Sequence, residues 1–159
     1  MRHGKARRAG SIGAIIAALL LSGTASSRAK PEHLTTAEFR ELMATVAEGW
    51  NEGNARKAAD CFAPNATYSE PPRQQFYEGR EALFEFFGGH GQRSMSMTWH
   101  HLVFDEQSQV GAGEYTFRGN SQSHGVTMVK IEGGLIRNWR EYQYRSALPW
   151  DEFVDDNAF

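Results

Sequence analysis

Two adjacent glycines, Gly133-Gly134, sit between two β-rich runs, residues 123–132 and 135–144. Gly-Gly suits the type of two-residue hairpin loop that needs positive φ at both positions, which glycine adopts without steric cost, so this stretch reads as a tight hairpin. The turn also implies a register. Pairing Glu132 with Leu135 sets Met128 opposite Trp139, Val126 opposite Glu141 and His124 opposite Gln143. Side chains alternate along a strand, so these six share one face. Thr127, Val129, Ile136, Asn138, Arg140 and Tyr142 fall on the other. Two more β-rich runs, 95–105 and 110–118, flank a polar turn at 106–109 and extend the pattern into an antiparallel sheet.

The half before the sheet reads as helices. Thr35 followed by Glu38 is a capping-box pair, and Phe39, Leu42, Met43, Val46, Ala47 and Trp50 recur behind it at helical spacing until Gly53. Asn54 can cap a short second helix through Ala58, Ala59 and Phe62, stopped at Pro64. Residues 66–70 read as a short strand before Pro71-Pro72. Residues 80–87 read as a third helix ended by Gly88-Gly89. The expectation is an α+β architecture: three N-terminal helices packed in the concave face of a curled antiparallel sheet, leaving a hollow of the kind that takes small ligands.

Charge divides the chain. Residues 1–29 carry five bases and no acid, and the remainder carries 12 bases against 19 acids, a net charge of −7. The basic start, the apolar run at 12–21 and the small residues at 22–27 have the order of a secretory signal. That run is about half of what a membrane-spanning helix needs. The expected organisation is a signal peptide and linker over 1–29, and one exported domain over 30–159. An acidic body without a lysine or arginine run argues against nucleic acid as the main partner, because phosphate binding needs clustered bases. A single cysteine, Cys61, excludes an internal disulfide and a thiolate zinc cluster. No dinucleotide fingerprint, phosphate-binding glycine loop or metal-ligand spacing is present, so neither a metal nor a nucleotide cofactor is expected.

Three stretches, W-N-E-G-N-A-R-K-A-A-D-C-F-A-P-N-A-T-Y (50–68), Y-E-G-R-E-A-L-F-E-F-F (77–87) and G-G-L-I-R-N-W-R-E-Y (133–142), resemble the SnoaL-like branch of the nuclear transport factor 2-like superfamily. The likeness runs from about Thr35 to Tyr144. That resemblance implies a cystatin-like α+β cone. The superfamily includes ketosteroid isomerases, polyketide cyclases, epoxide hydrolases, dehydratases and noncatalytic binders, so fold alone does not select a function. A-T-Y-S-E-P (66–71) resembles the segment that carries the proton-shuttling Asp of ketosteroid isomerases, with Glu70 at its position. The isomerases' two oxyanion donors fall at Val46 and near Thr127, which supply neither group. W-R-E-Y (139–142) resembles the W-R-D-Y of limonene epoxide hydrolases, which places Glu141 at the catalytic acid. The Arg-x-Asp those enzymes also use has no counterpart in Tyr115-Thr116-Phe117.

Glu141, His124 and Glu70 are therefore the candidate catalytic groups. Trp139, Met128, Val126, Tyr68, Gln143 and Trp50 are the expected ligand-contacting residues. A carboxyl held among apolar side chains has its pKa raised by desolvation, toward the range useful for proton transfer. Two functions follow: a cofactor-free acid/base enzyme acting on a small apolar substrate, or a binding protein that keeps the hollow without chemistry. The outer face of the sheet, with Thr127, Val129, Ile136 and Tyr142, is expected to form a homodimer.

Overall fold

A computed structural model describes residues 32–157 apart from 92 and 94; the expected signal peptide lies outside the described residues. Helix α1 spans Thr36–Asn51 and α2 spans Ala55–Ala59. Strand β1 (Phe62–Glu70) leads through a 3-10 turn (Pro71–Arg73) into β2 (Gln75–Glu78) and α3 (Arg80–Phe86). Strands β3 (Ser96–Asp105), β4 (Val110–Arg118), β5 (Gln122–Glu132) and β6 (Leu135–Arg145) follow, and α4 (Trp150–Val154) closes the described chain.

The expected capping box is present: Thr35 Oγ1 accepts from the Glu38 amide, and the Glu38 carboxylate accepts from the Thr35 amide at 2.9 Å. From there α1 buries Phe39, Met43, Val46, Ala47 and Trp50. A Cβ on Gly49 would lie 2.6 Å from the Ala58 amide nitrogen, so α2 can lie directly against α1 only because that position is glycine. Helix α2 stops at Ala59, earlier than expected. Phe62 belongs to β1, where it is wholly buried against Trp139 and Phe87.

The sheet has six strands in the order β2-β1-β6-β5-β4-β3. It is mixed and not wholly antiparallel, because β1 runs parallel to β6 while every other pairing is antiparallel. The β5–β6 hairpin leaves one edge of β6 open. The chain occupies it with a strand more than 70 positions upstream, whose direction no local pattern encodes. Gly133 and Gly134 adopt φ of 56° and 69°, as the two-residue turn requires.

The register beyond that turn differs from the one the turn implies. Glu132 pairs with Leu135 and Ile131 with Ile136, but Lys130 then pairs with Asn138, so Arg137 is an extra residue on β6. Such a bulge exchanges the faces of one strand relative to its partner. Val129 therefore opposes Trp139, Thr127 opposes Glu141, and His124 opposes Tyr144. Thr127, Val129 and Ile136 are buried inside, against expectation, whereas Val126 and Met128 are each 38% exposed on the outer face beside Tyr142. A second bulge lies between Trp99 and His101 on β3. It lets Met97 and Trp99 face inward and leaves His100 on the outer face, bonded to Thr116.

Candidate functional site

Strands β1 and β6 carry the site. Tyr68 pairs with Trp139 and Ser69 with Arg140, so Glu70 and Glu141 stand one step further along neighbouring parallel strands. By alternation they share the inner face with the stacked rings of Tyr68 and Trp139, whose planes are 8° apart. This face borders a cavity of about 680 Å3. Trp50 from α1, Phe86 and Phe87 at the end of α3, and Met97 and Phe117 from β3 and β4 supply its apolar wall.

Glu141 is 3% exposed and faces neutral donors only. Its Oε1 accepts from Tyr68 Oη at 2.6 Å and from Gln143 Nε2 at 3.0 Å, and its Oε2 accepts from Trp139 Nε1 at 3.0 Å. Burial raises its pKa, while these donors, with the nearby Tyr115, oppose the rise without cancelling it. Tyr68 is held far above the ordinary phenol range by burial and by the adjacent carboxyl, so it stays a donor. Tyr115 is shifted in the same direction for the same reasons.

Glu70 is 2% exposed, and its pKa is pushed up to about 7 by burial first and by the charge of Glu141 second. Arg73 opposes the shift. Its Nε lies 2.8 Å from Glu70 Oε1, across the 3-10 turn, in an ion pair too poorly aligned to be a hydrogen bond. A carboxyl titrating near neutrality at a cavity wall is present in both protonation states at physiological pH.

Three cavity residues hold buried polar atoms with no hydrogen-bond partner: Trp50 Nε1, Glu70 Oε1 and Tyr115 Oη. Of these, Glu70 Oε1 is the oxygen in the ion pair with Arg73, and Tyr115 Oη lies beside the Glu141 carboxyl. Tyr115 keeps its place because the facing strand residue is Gly125: a Cβ there would lie 2.7 Å from the Tyr115 hydroxyl.

Of the expected site residues, Glu70, Glu141, Tyr68, Gln143 and Trp50 line the cavity. Trp139 stands behind Tyr68 and Glu141 and acts through them. Val126, Met128 and His124 are corrections: the Arg137 bulge turns all three to the outer face. There His124 is buried under α4, with Nε2 donating to the Leu148 carbonyl at 3.0 Å and Nδ1 accepting from Thr116 Oγ1 at 2.9 Å. Thr116 in turn accepts from His100 Nε2 at 2.7 Å, and His100 stacks on Trp150. The tautomers follow from the carbonyl, which can only accept. Tyr115 and Arg73 are site residues that sequence reasoning missed. Arg73 follows Glu70 by three positions, a spacing that a proline-led 3-10 turn brings together. The inward alternation Gly111, Gly113, Tyr115, Phe117 was the available signal for Tyr115. Among the described residues no group of three or more His, Cys, Asp or Glu side chains could hold a metal ion, and no helix is long and apolar enough to cross a membrane.

Helices against one face of a mixed sheet, with an inward carboxyl pair in the hollow between, define the architecture that the sequence resemblance implied. The SnoaL-like domain model matches residues 43–139, and the chain belongs to that family. Solved structures share the fold at low identity. A protein from Kribbella flavida DSM 17836 assigned as a ketosteroid isomerase is 16% identical, with a TM-score of 0.60 over 76% of this chain and 89% of that one. A protein with a cystatin-like fold from Methylobium petroleophilum PM1 is 22% identical, with a TM-score of 0.61 over 77% and 84%. An LEH-like epoxide hydrolase of M. tuberculosis is 12% identical, with a TM-score of 0.59 over 72% and 86%. No curated protein matches the sequence.

Proposed function

We propose that this protein is a cofactor-free acid/base enzyme that moves a proton on a small, largely apolar substrate held in the cavity. One observation carries the reading: two buried carboxyls on adjacent strands face one cavity, and the less tightly bonded one, Glu70, titrates at about 7. In this reading Glu70 takes the proton. Tyr115 Oη, buried beside the Glu141 carboxyl and held protonated, donates to the substrate oxygen on which charge develops. It takes the role for which Val46 and Thr127 lack the chemistry; both are buried, and Thr127 Oγ1 is committed to the Arg140 carbonyl at 3.2 Å. Glu141, fastened by three donors, holds Tyr68 and Trp139 in place. Isomerisation, cyclisation and epoxide opening all draw on this set.

The test needs no knowledge of the natural substrate. Elimination from 5-nitrobenzisoxazole requires only a base in an apolar site. Native protein is expected to catalyse it with a rate that rises with pH through about 7, and Glu70→Gln to lose about 10²–10³-fold of it. Equal rates for the two proteins would reduce the site to a ligand-binding cavity. Export by a cleaved leader belongs to the same proposal and rests on the basic, apolar and small-residue order of 1–29. So does a homodimer through the outer sheet face, now with Val103, Val126, Met128 and Tyr142 as its exposed apolar residues.

A further inference from the structure

The inner face of β6 carries an ordered series. Glu141, Gln143 and Arg145 alternate onto the same side, all three border the cavity, and Arg145 pairs in register with the buried, cavity-lining Ser123. Glu141 is buried and Arg145 is exposed, so the series runs from the depth of the cavity to its mouth. At about 3.3 Å per residue, the backbone positions of Glu141 and Arg145 stand roughly 13 Å apart.

The mouth is cationic on a protein that is not. Outside the leader the chain has seven more acids than bases, yet the cavity is bordered by three arginines, Arg73, Arg93 and Arg145, against the two buried carboxyls. Arg73 is matched by Glu70. Arg93 and Arg145 enter no ion pair among the described residues; Arg93 Nη1 donates to the Phe86 carbonyl at 2.9 Å, which anchors it beside the aromatic wall. Two guanidinium groups without an ion pair at the opening of a cavity that is aromatic on one wall and polar elsewhere select an anion, with the planar fork suited to carboxylate or phosphate oxygens.

We infer that the cavity takes an amphipathic anion: an apolar body of ring size or larger lies against Trp50, Phe87 and Phe117, and a carboxylate or phosphate remains at the mouth on Arg93 and Arg145. This rests on the cavity being the ligand site proposed above, but not on turnover there. The reacting end of such a molecule lies toward Glu70 and Tyr115, and its charge lies at the opposite end. The arginines thus orient the substrate as well as attract it.

Equilibrium binding to the full chain tests this, with tryptophan fluorescence as the readout and 6-phenylhexanoate, 6-phenylhexyl phosphate, 6-phenylhexan-1-ol and 6-phenylhexylamine as probes. At low salt at least one of the two anions is expected to bind ten or more times tighter than the alcohol, and the amine weakest of all. Whichever anion binds tighter names the head group. Arg93→Gln combined with Arg145→Gln is expected to shrink the anion preference to under threefold while leaving alcohol affinity unchanged, which also shows that the variant is folded. Alcohol or amine binding as tightly as the anions, a preference that survives both substitutions, or no binding of any probe would each overturn the inference. Glu70→Gln is expected to keep the preference, so a failed catalytic reading and a failed anion site give different results.

Discussion

The two faces of the sheet both bury ionisable side chains, but they finish them differently. On the outer face His124 is 1% exposed and fully partnered: Thr116 bonds one ring nitrogen, the Leu148 carbonyl takes the other, and Trp150 and Phe153 pack against the ring. On the inner face Glu70 and Tyr115 are as deeply buried, yet Glu70 Oε1 meets only the misaligned Arg73 guanidinium and Tyr115 Oη only the neighbouring Glu141 carboxyl. Burial is common to both sites; well-aligned hydrogen bonds complete the ring of His124 but not the Oε1 of Glu70. A closed network rigidifies what it touches, while an open one retains capacity for a ligand. That difference, more than residue type, leaves Glu70 freer to meet a ligand than either Glu141 or His124.

The sharpest way to break this contrast is to make one substitution on each inner carboxyl. Glu70→Gln is expected to stabilise the protein by up to about 3 kcal/mol above pH 7, read from denaturant melts. The sign follows from the raised pKa. Between about 4.5 and 7 the folded state binds more protons than the unfolded one, so the native carboxyl's contribution falls as pH rises through that window, and glutamine has no such slope. Glu141→Gln is expected to go the other way, losing about 1–3 kcal/mol, because an amide NH2 would face one of the donors now bonded to the carboxyl. Stabilisation by both substitutions would mean that Glu141 is no more committed than Glu70.

On the outer face, Trp150→Ala removes the ring stacked 4.1 Å from His100 and packed against His124. About 2–3 kcal/mol of stability should go with it, with anion binding in the cavity unchanged. Acid probes the same region more gently. The pKa of His100 is lowered by burial first and by neighbouring His124 second, with Arg118 adding and Asp151 opposing. Below about 6.5 the unfolded state therefore binds the more protons, and the contribution of His100 is lost as pH falls. Protection factors in β3 and α4, corrected for the intrinsic exchange rate at each pH, should fall between pH 7 and 5.5 before those in β6 do. The smallest expected effect is from Met128→Lys on the exposed part of that face. Light scattering should report a monomer in place of a dimer, with thermal stability of the fold changed by no more than about 0.5 kcal/mol. A native protein that already scatters as a monomer removes the dimer reading.

Local chemistry made much of this legible. The capping box at Thr35 and the turn at Gly133-Gly134 follow from patterns a few residues long, whereas Glu141 keeps only Trp139 and Gln143 of the inward neighbours that the expected register gave it. Glu70 came from resemblance, and the structure shows why the position suits it: the strand ends there, beside a 3-10 turn that brings Arg73 back. What escaped were features that cost one residue or depend on distant chain. Nothing in Leu135–Arg145 announces that Arg137 is surplus, yet that single residue moved Val126, Met128 and His124 from the cavity to the opposite face. The parallel partnership of β1 and β6 is a long-range decision. Helix α4 lies beyond the resemblance, and its value is visible only once Trp150 is seen covering the two histidines.

The parallel pairing of β1 with β6 has a kinetic side. The hairpin can form early, since its strands are joined by two residues and close almost no loop. Bringing Tyr68 to Glu141 closes a loop of 73 positions that contains β2, α3 and the four-stranded meander β3 to β6. Loop-closure entropy therefore makes the contact that brings the two carboxyls together the costliest in the sheet to nucleate. A chain arrested just short of completion would look folded by its helix and hairpin content and have no site at all.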